Sequence, residues 1–103
     1  MSKQDIQKAV KEAVAKMPHG KDIRRVRLFG SHLHGDAKPT SDVDLIVDFD
    51  EAAIISLFDL VDIEDFFRQA LQSEVDIVTA KGLKRYIRDK VLNEAETLYE
   101  RKG

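Results

Sequence analysis

From Asp42 to Phe49, the residues Val43, Leu45, Val47 and Phe49 alternate strictly with Asp42, Asp44, Ile46 and Asp48. A repeat of two admits a β-strand and excludes an amphipathic helix, whose apolar positions recur every three or four residues. The alternation also has a chemical consequence. It sets the carboxylates of Asp42 and Asp44 on one face of the strand, opposite an apolar one.

The remaining segments supply partners for such a strand. Ser2 with Asp5 forms a variant capping box and opens a helix carrying Ile6, Val10, Ala13, Val14 and Met17, which Pro18-His19-Gly20 ends. Ile23 to Phe29 reads as a strand, anchored by Val26 and Leu28. Its arginines, Arg24, Arg25 and Arg27, face either solvent or a ligand. Gly30 to Ser41 is turn-rich, with Ser31 able to cap a short helix through about Leu33. Ile54 to Leu71 predicts a helix with an apolar set broader than one buried stripe requires. Val75 to Thr79 is a third strand, and a basic, helical segment begins at Gly82. The tail Glu96 to Glu100 extends that helix or forms a short edge strand. The expected fold class is α/β (α+β): residues 1–103 as a single domain, a small mixed sheet with helices.

Composition narrows the chemistry. The 103 residues contain 17 Lys and Arg against 19 acids, a net charge of −2, so no strong nucleic-acid binding is expected. No cysteine is present, which excludes disulfides, zinc–thiolate centres and thiol catalysis. The N-terminus lacks a signal-peptide core and no run approaches a membrane span, so a cytoplasmic location is expected.

Gly30-Ser31 lies ten residues upstream of Asp42-Val43-Asp44, and Asp76 stands in the third strand. A Gly-Ser turn can present backbone N–H groups to a phosphate, and hard cations take oxygen ligands from one or two carboxylates plus substrate phosphates. Two such cations can clamp the attacking and leaving oxygens of a phosphoryl or nucleotidyl transfer. Asp42 and Asp44 are the first candidate ligands; Asp76 can complete a second site and act as base. Asp48 shares their parity but lies about 13 Å along the strand from Asp44, and is assigned to the strand end. Asp50 and Glu51 are assigned to a solvated loop. Gly30 and Gly35 imitate P-loop spacing, but Asp36-Ala37 stands where Lys and Ser/Thr are required. His32 and His34 are either metal ligands or contacts to phosphate or solvent.

With these residues in view, the chain resembles the minimal nucleotidyltransferase family of the DNA polymerase β superfamily. The likeness runs from Leu28-Phe29-Gly30-Ser31 through Gly35 to Ser41-Asp42-Val43-Asp44-Leu45-Ile46-Val47, and resumes at Val75-Asp76-Ile77-Val78. It implies a mixed-sheet nucleotidyltransferase core with Mg²⁺ on Asp42, Asp44 and Asp76, which are also the catalytic set. It implies ATP as the nucleotide, its triphosphate held by Gly30 and Ser31, with Ser41 and Lys38 as further cofactor-binding positions. His32 and His34 replace the arginines that many relatives carry after Gly-Ser, and Lys38 can compensate.

Such minimal proteins resemble the antitoxin half of two-gene modules, whose partner is a HEPN-domain toxin. The implied activity is transfer of AMP to a hydroxyl of that partner, by family analogy that of a tyrosine. The alternatives are a non-catalytic module that neutralises by binding, or transfer to a small molecule or an RNA end. The broad helix from Ile54 to Leu71 is then either an interface or a helix wedged inside the fold.

Overall fold

The computed structural model describes residues 2–30 and 42–101. Helix α1 (Lys3–Lys16) begins as expected: Asp5 N–H donates to Ser2 Oγ, and Ser2 N–H donates to the Asp5 carboxylate, both at 3.1 Å. It buries Ile6, Val10, Ala13 and Val14. It stops at Met17, which precedes a proline and is extended (φ −79°, ψ 150°), the conformation such a residue prefers. A 3₁₀ turn (Gly20–Asp22) leads into β1 (Ile23–Phe29).

Strand β2 (Val43–Phe49) pairs antiparallel with β1, and β3 (Val75–Val78) pairs parallel with β2. Strand β4 (Glu96–Glu100) pairs antiparallel with β1, giving the order β3-β2-β1-β4. The tail is therefore an edge strand rather than more helix. Extended Ala95 (φ −61°, ψ 140°) separates it from helix α3 (Arg85–Glu94), and a 3₁₀ turn (Ala80–Gly82) precedes that helix.

Helix α2 (Leu57–Leu71) starts three residues later than the apolar pattern suggests. Ser56 is extended and forms a second capping box with Asp59, which leaves Ile54 and Ile55 outside the helix. Only Ile63, Phe67 and Leu71 are buried along it. They meet α1 and the sheet face bearing Val26, Leu28, Val43, Leu45, Val47 and Val75. Ile54, Leu57, Phe58 and Val61 remain exposed, Phe58 at 84%.

The opposite sheet face carries the residues of the other parity. Ile46 is fully buried there, and both it and Leu83 lie outside the main core cluster. Beside it run Arg25 and Arg27, whose register partners in β2 are Asp48 and Ile46. Arg24 is exposed, as expected, whereas Arg25 and Arg27 are held within the sheet. Arg25 Nε and Arg27 Nη2 both donate to Asp48 Oδ2, at 3.0 and 2.8 Å, and Arg27 is buried. Asp48 thus acts as a cross-strand tie rather than a loose strand end. Asp50 departs from its expected role as well: it forms a two-pronged ion pair with Arg101, which also donates to the Lys21 carbonyl. Among the described residues, no helix is long and apolar enough to cross a membrane.

Phe67 and Phe58 lie on one helix with opposite surroundings. Phe67→Ala should cost about 3–5 kcal/mol, and Phe58→Ala no more than about 0.5 kcal/mol. Chemical denaturation of the two variants checks this; equal losses would overturn the assignment of the buried face.

Candidate active site

Strand register brings the separated acids together. Phe29 of β1 is the partner of Asp44 in β2, and Asp44 is in turn the partner of Asp76 in β3. In-register neighbours share a face, so Asp44 and Asp76 project side by side on the face opposite the main core. Asp42, two residues before Asp44 and just outside the strand, stands close enough for its charge to act on the Asp76 carboxyl.

Gly30 closes the end of β1 against this group. Its φ is +80°, a left-handed conformation that side chains rarely adopt. A Cβ there would lie 2.3 Å from Asp44 Oδ2 and 3.2 Å from Asp44 Cγ. Glycine is therefore required twice over, by the turn and by the carboxylate pressed against it.

The sequence-predicted residues that the structure describes, Gly30, Asp42, Asp44 and Asp76, form one neighbourhood. Ser31, the short helix after it, His32, His34, Gly35, Lys38 and Ser41 lie outside the described residues.

Two residues that sequence patterning did not single out hold β3 in place. Glu64 Oε2 accepts the Ile77 N–H at 3.2 Å, satisfying a donor next to Asp76 on the free edge of the sheet. Arg68 holds the other oxygen of Glu64 and reaches Asp65 at 2.8 Å and Glu74 at 3.0 Å. Helix α2 therefore grips β3 on both sides of Asp76. The i,i+4 spacing of Glu64 and Arg68 was visible, but it reads as an ordinary solvated helix pair.

This crowding of acids has a measurable electrostatic result. Partial desolvation, then the charges of Asp42 and Glu64, push the Asp76 carboxyl above its ordinary range, while Arg68 pulls the other way. The arrangement offers oxygen donors alone, the set that hard divalent cations take. A cation would also relieve the repulsion that Asp76 registers.

Comparison with known proteins agrees with this geometry. The family model described as polymerase beta nucleotidyltransferase matches residues 8–103. The chain belongs to this nucleotidyltransferase family. A protein adenylyltransferase, MntA of Thermococcus cleftensis, is 40% identical over 72 residues, covering 70% of this chain and 71% of the relative. A Methanocaldococcus jannaschii protein named as a candidate protein adenylyltransferase is 37% identical over 79 residues, covering 77% and 81%. A solved structure of a candidate minimal nucleotidyltransferase superposes with a TM-score of 0.72 at 36% identity, covering 92% of this chain and 94% of that one. A toxin–antitoxin crystal structure with AMP-PNP shares the nucleotidyltransferase fold, with a TM-score of 0.72 at 20% identity over 93% and 74% of the two chains.

Two stability measurements test the site without assaying activity. Gly30→Ala should cost more than about 1 kcal/mol, because the new methyl meets both positive φ and the Asp44 carboxylate; an unchanged melting temperature would contradict that contact. Asp76 binds its proton more tightly folded than unfolded, so its ionisation lowers stability as pH rises through the folded pKa. Below the ordinary value of 3.8 the group is protonated in both states and this penalty is absent. Without divalent cations, Asp76→Asn should raise the melting temperature at neutral pH, with a gain that shrinks toward pH 3.8. A loss at neutral pH would reverse the assigned sign.

Proposed function

We propose that this nucleotidyltransferase transfers AMP from ATP to a hydroxyl, a tyrosine side chain, of a HEPN-type toxin partner, and so acts as an antitoxin. The observation that carries the reading is Gly30 packed against Asp44, with Asp76 in register beside it. The likeness to MntA supports the protein-adenylyltransferase assignment, and a fold relative is a complex containing a tri-AMPylated Shewanella oneidensis HEPN toxin and an MNT antitoxin.

In this reading Asp42, Asp44 and Asp76 hold Mg²⁺, which supplies charge neutralisation on the triphosphate and on the attacking oxygen. Gly30 and Ser31, with Lys38 and Ser41, bind the nucleotide's phosphates. Asp76 takes the proton of the incoming hydroxyl, a task suited to a carboxyl of raised basicity. The hydroxyl oxygen forms its bond to the α-phosphorus as the bond to the β-phosphate oxygen breaks. Pyrophosphate leaves, and AMP remains esterified to the partner.

The exposed Ile54, Leu57, Phe58 and Val61 give a partner chain an apolar surface to cover. That surface favours the interface reading of this helix for its N-terminal half; Ile63, Phe67 and Leu71 belong to the core. Both proteins would meet in the cytoplasm.

Incubating the chain with the product of the neighbouring gene, ATP and Mg²⁺, followed by intact-mass measurement of that product, tests the proposal. A gain of one or more AMP groups is expected with the wild type and none with Asp42→Asn/Asp44→Asn. A stable complex with no gain in mass would instead assign neutralisation to binding alone.

A further inference from the structure

Away from the three acids, His19 meets Asp59 and Asp62. His19 lies in the turn after α1, and the two aspartates lie one helical turn apart near the start of α2. One ligand atom from each residue falls within 4.8 Å of the other two. His19 Nε2 stands 3.3 Å from Asp59 Oδ1. Ligand atoms sharing one cation through bonds of about 2.0–2.2 Å stand about 2.8–3.1 Å apart at octahedral angles and about 3.3–3.6 Å apart at tetrahedral ones. The imidazole and this carboxylate oxygen are already at that spacing. Asp62 offers the third ligand atom, within 4.8 Å of both.

The Asp59 carboxylate is also oriented from behind. Its Oδ2 accepts the Ser56 N–H at 3.0 Å within the capping box, which turns Oδ1 toward His19. Outer hydrogen bonds of this kind fix the direction of a ligand before the ion arrives. The same backbone bond is the first cause that keeps the Asp59 carboxyl below its ordinary range, with the Ser56 hydroxyl and His19 adding to it. His19 and Asp59 are each about a quarter exposed at the side chain, so an ion can enter while the ligands stay supported.

We propose that His19, Asp59 and Asp62 form a second divalent-cation site, selective for a borderline transition metal of the Zn²⁺ class. An imidazole nitrogen with two carboxylates suits Zn²⁺, whereas the carboxylates of the candidate active site suit Mg²⁺. Three protein ligands leave at least one position for water or for a donor from another molecule. Phe58 and Val61, the chain neighbours of Asp59 and Asp62, are both exposed.

The test uses the full chain carrying Asp42→Asn/Asp44→Asn, which weakens the other acidic site and makes the result independent of the proposed transferase activity. After chelator treatment, calorimetric titration with ZnCl₂ should show one equivalent bound, and the melting temperature should rise with the metal. His19→Gln and Asp62→Asn, each introduced separately, should weaken that binding by about tenfold or more. Their metal-free melting temperatures should match the parent, which separates loss of a ligand from loss of fold. Zn²⁺ should also shift the His19 imidazole resonances in NMR spectra. Absence of binding, binding that His19→Gln weakens by less than about tenfold, or a His19 resonance that does not move would each overturn the site and leave His19–Asp59 as an ion pair only.

Discussion

Strand register is the constraint on which the rest of this structure depends. Asp44 has Phe29 on one side and Asp76 on the other, and a slip of one residue in either pairing would send its partner to the opposite face. Several features oppose such a slip. Val43, Leu45 and Val47 are fully buried against the helical layer, and exposing them would cost about 1.5–3 kcal/mol each. Asp48 ties Arg25 and Arg27 across the β1–β2 pair, and Glu64 and Arg68 hold β3 from outside. The apolar face thus positions the acidic one.

Holding acids together against their repulsion sets the electrostatic character of the molecule. Partial burial and the charges of Asp42 and Glu64 raise the cost of ionising Asp76, and Arg68 offsets only part of it. Elsewhere acids are matched locally: Asp48 with two arginines, Asp50 with Arg101, Asp5 and Asp59 with the N-termini of their own helices. Asp76, whose ionisation lowers stability, lies instead beside Asp44 on the sheet face opposite the main core.

Helix α2 serves two surfaces at once. Its C-terminal half enters the core and grips β3, while its N-terminal half presents apolar side chains beside His19, Asp59 and Asp62. The capping box at Ser56 divides the two regions from the preceding chain. It starts the helix after Ile54 and Ile55, and it aims one oxygen of Asp59 at His19. A local backbone requirement therefore shapes a site some distance from the three acids.

Much of this was legible in the residues themselves. Period-two alternation marked β2, the Ser2–Asp5 pair marked the start of α1, and the spacing of Gly30, Asp42, Asp44 and Asp76 marked the family, because these are local patterns imposed by backbone geometry. The start of α2 was misplaced because Ile54 and Ile55 continue an apolar pattern that the Ser56 cap interrupts. The tail stayed ambiguous because five residues suit either an extended helix or an edge strand, and pairing with β1 decides between them. The arginines of β1 and the acid at position 48 gave no hint of each other, since ion pairs across strands depend on register. The sequence by itself determined the family and which face of β2 Asp42 and Asp44 share, because strand alternation is local. Only the tertiary structure decided that Asp76 stands beside Asp44, that Glu64 and Arg68 hold it there, and that His19 meets Asp59. Those contacts join residues distant in the chain, and they exist only once the sheet and helices have packed.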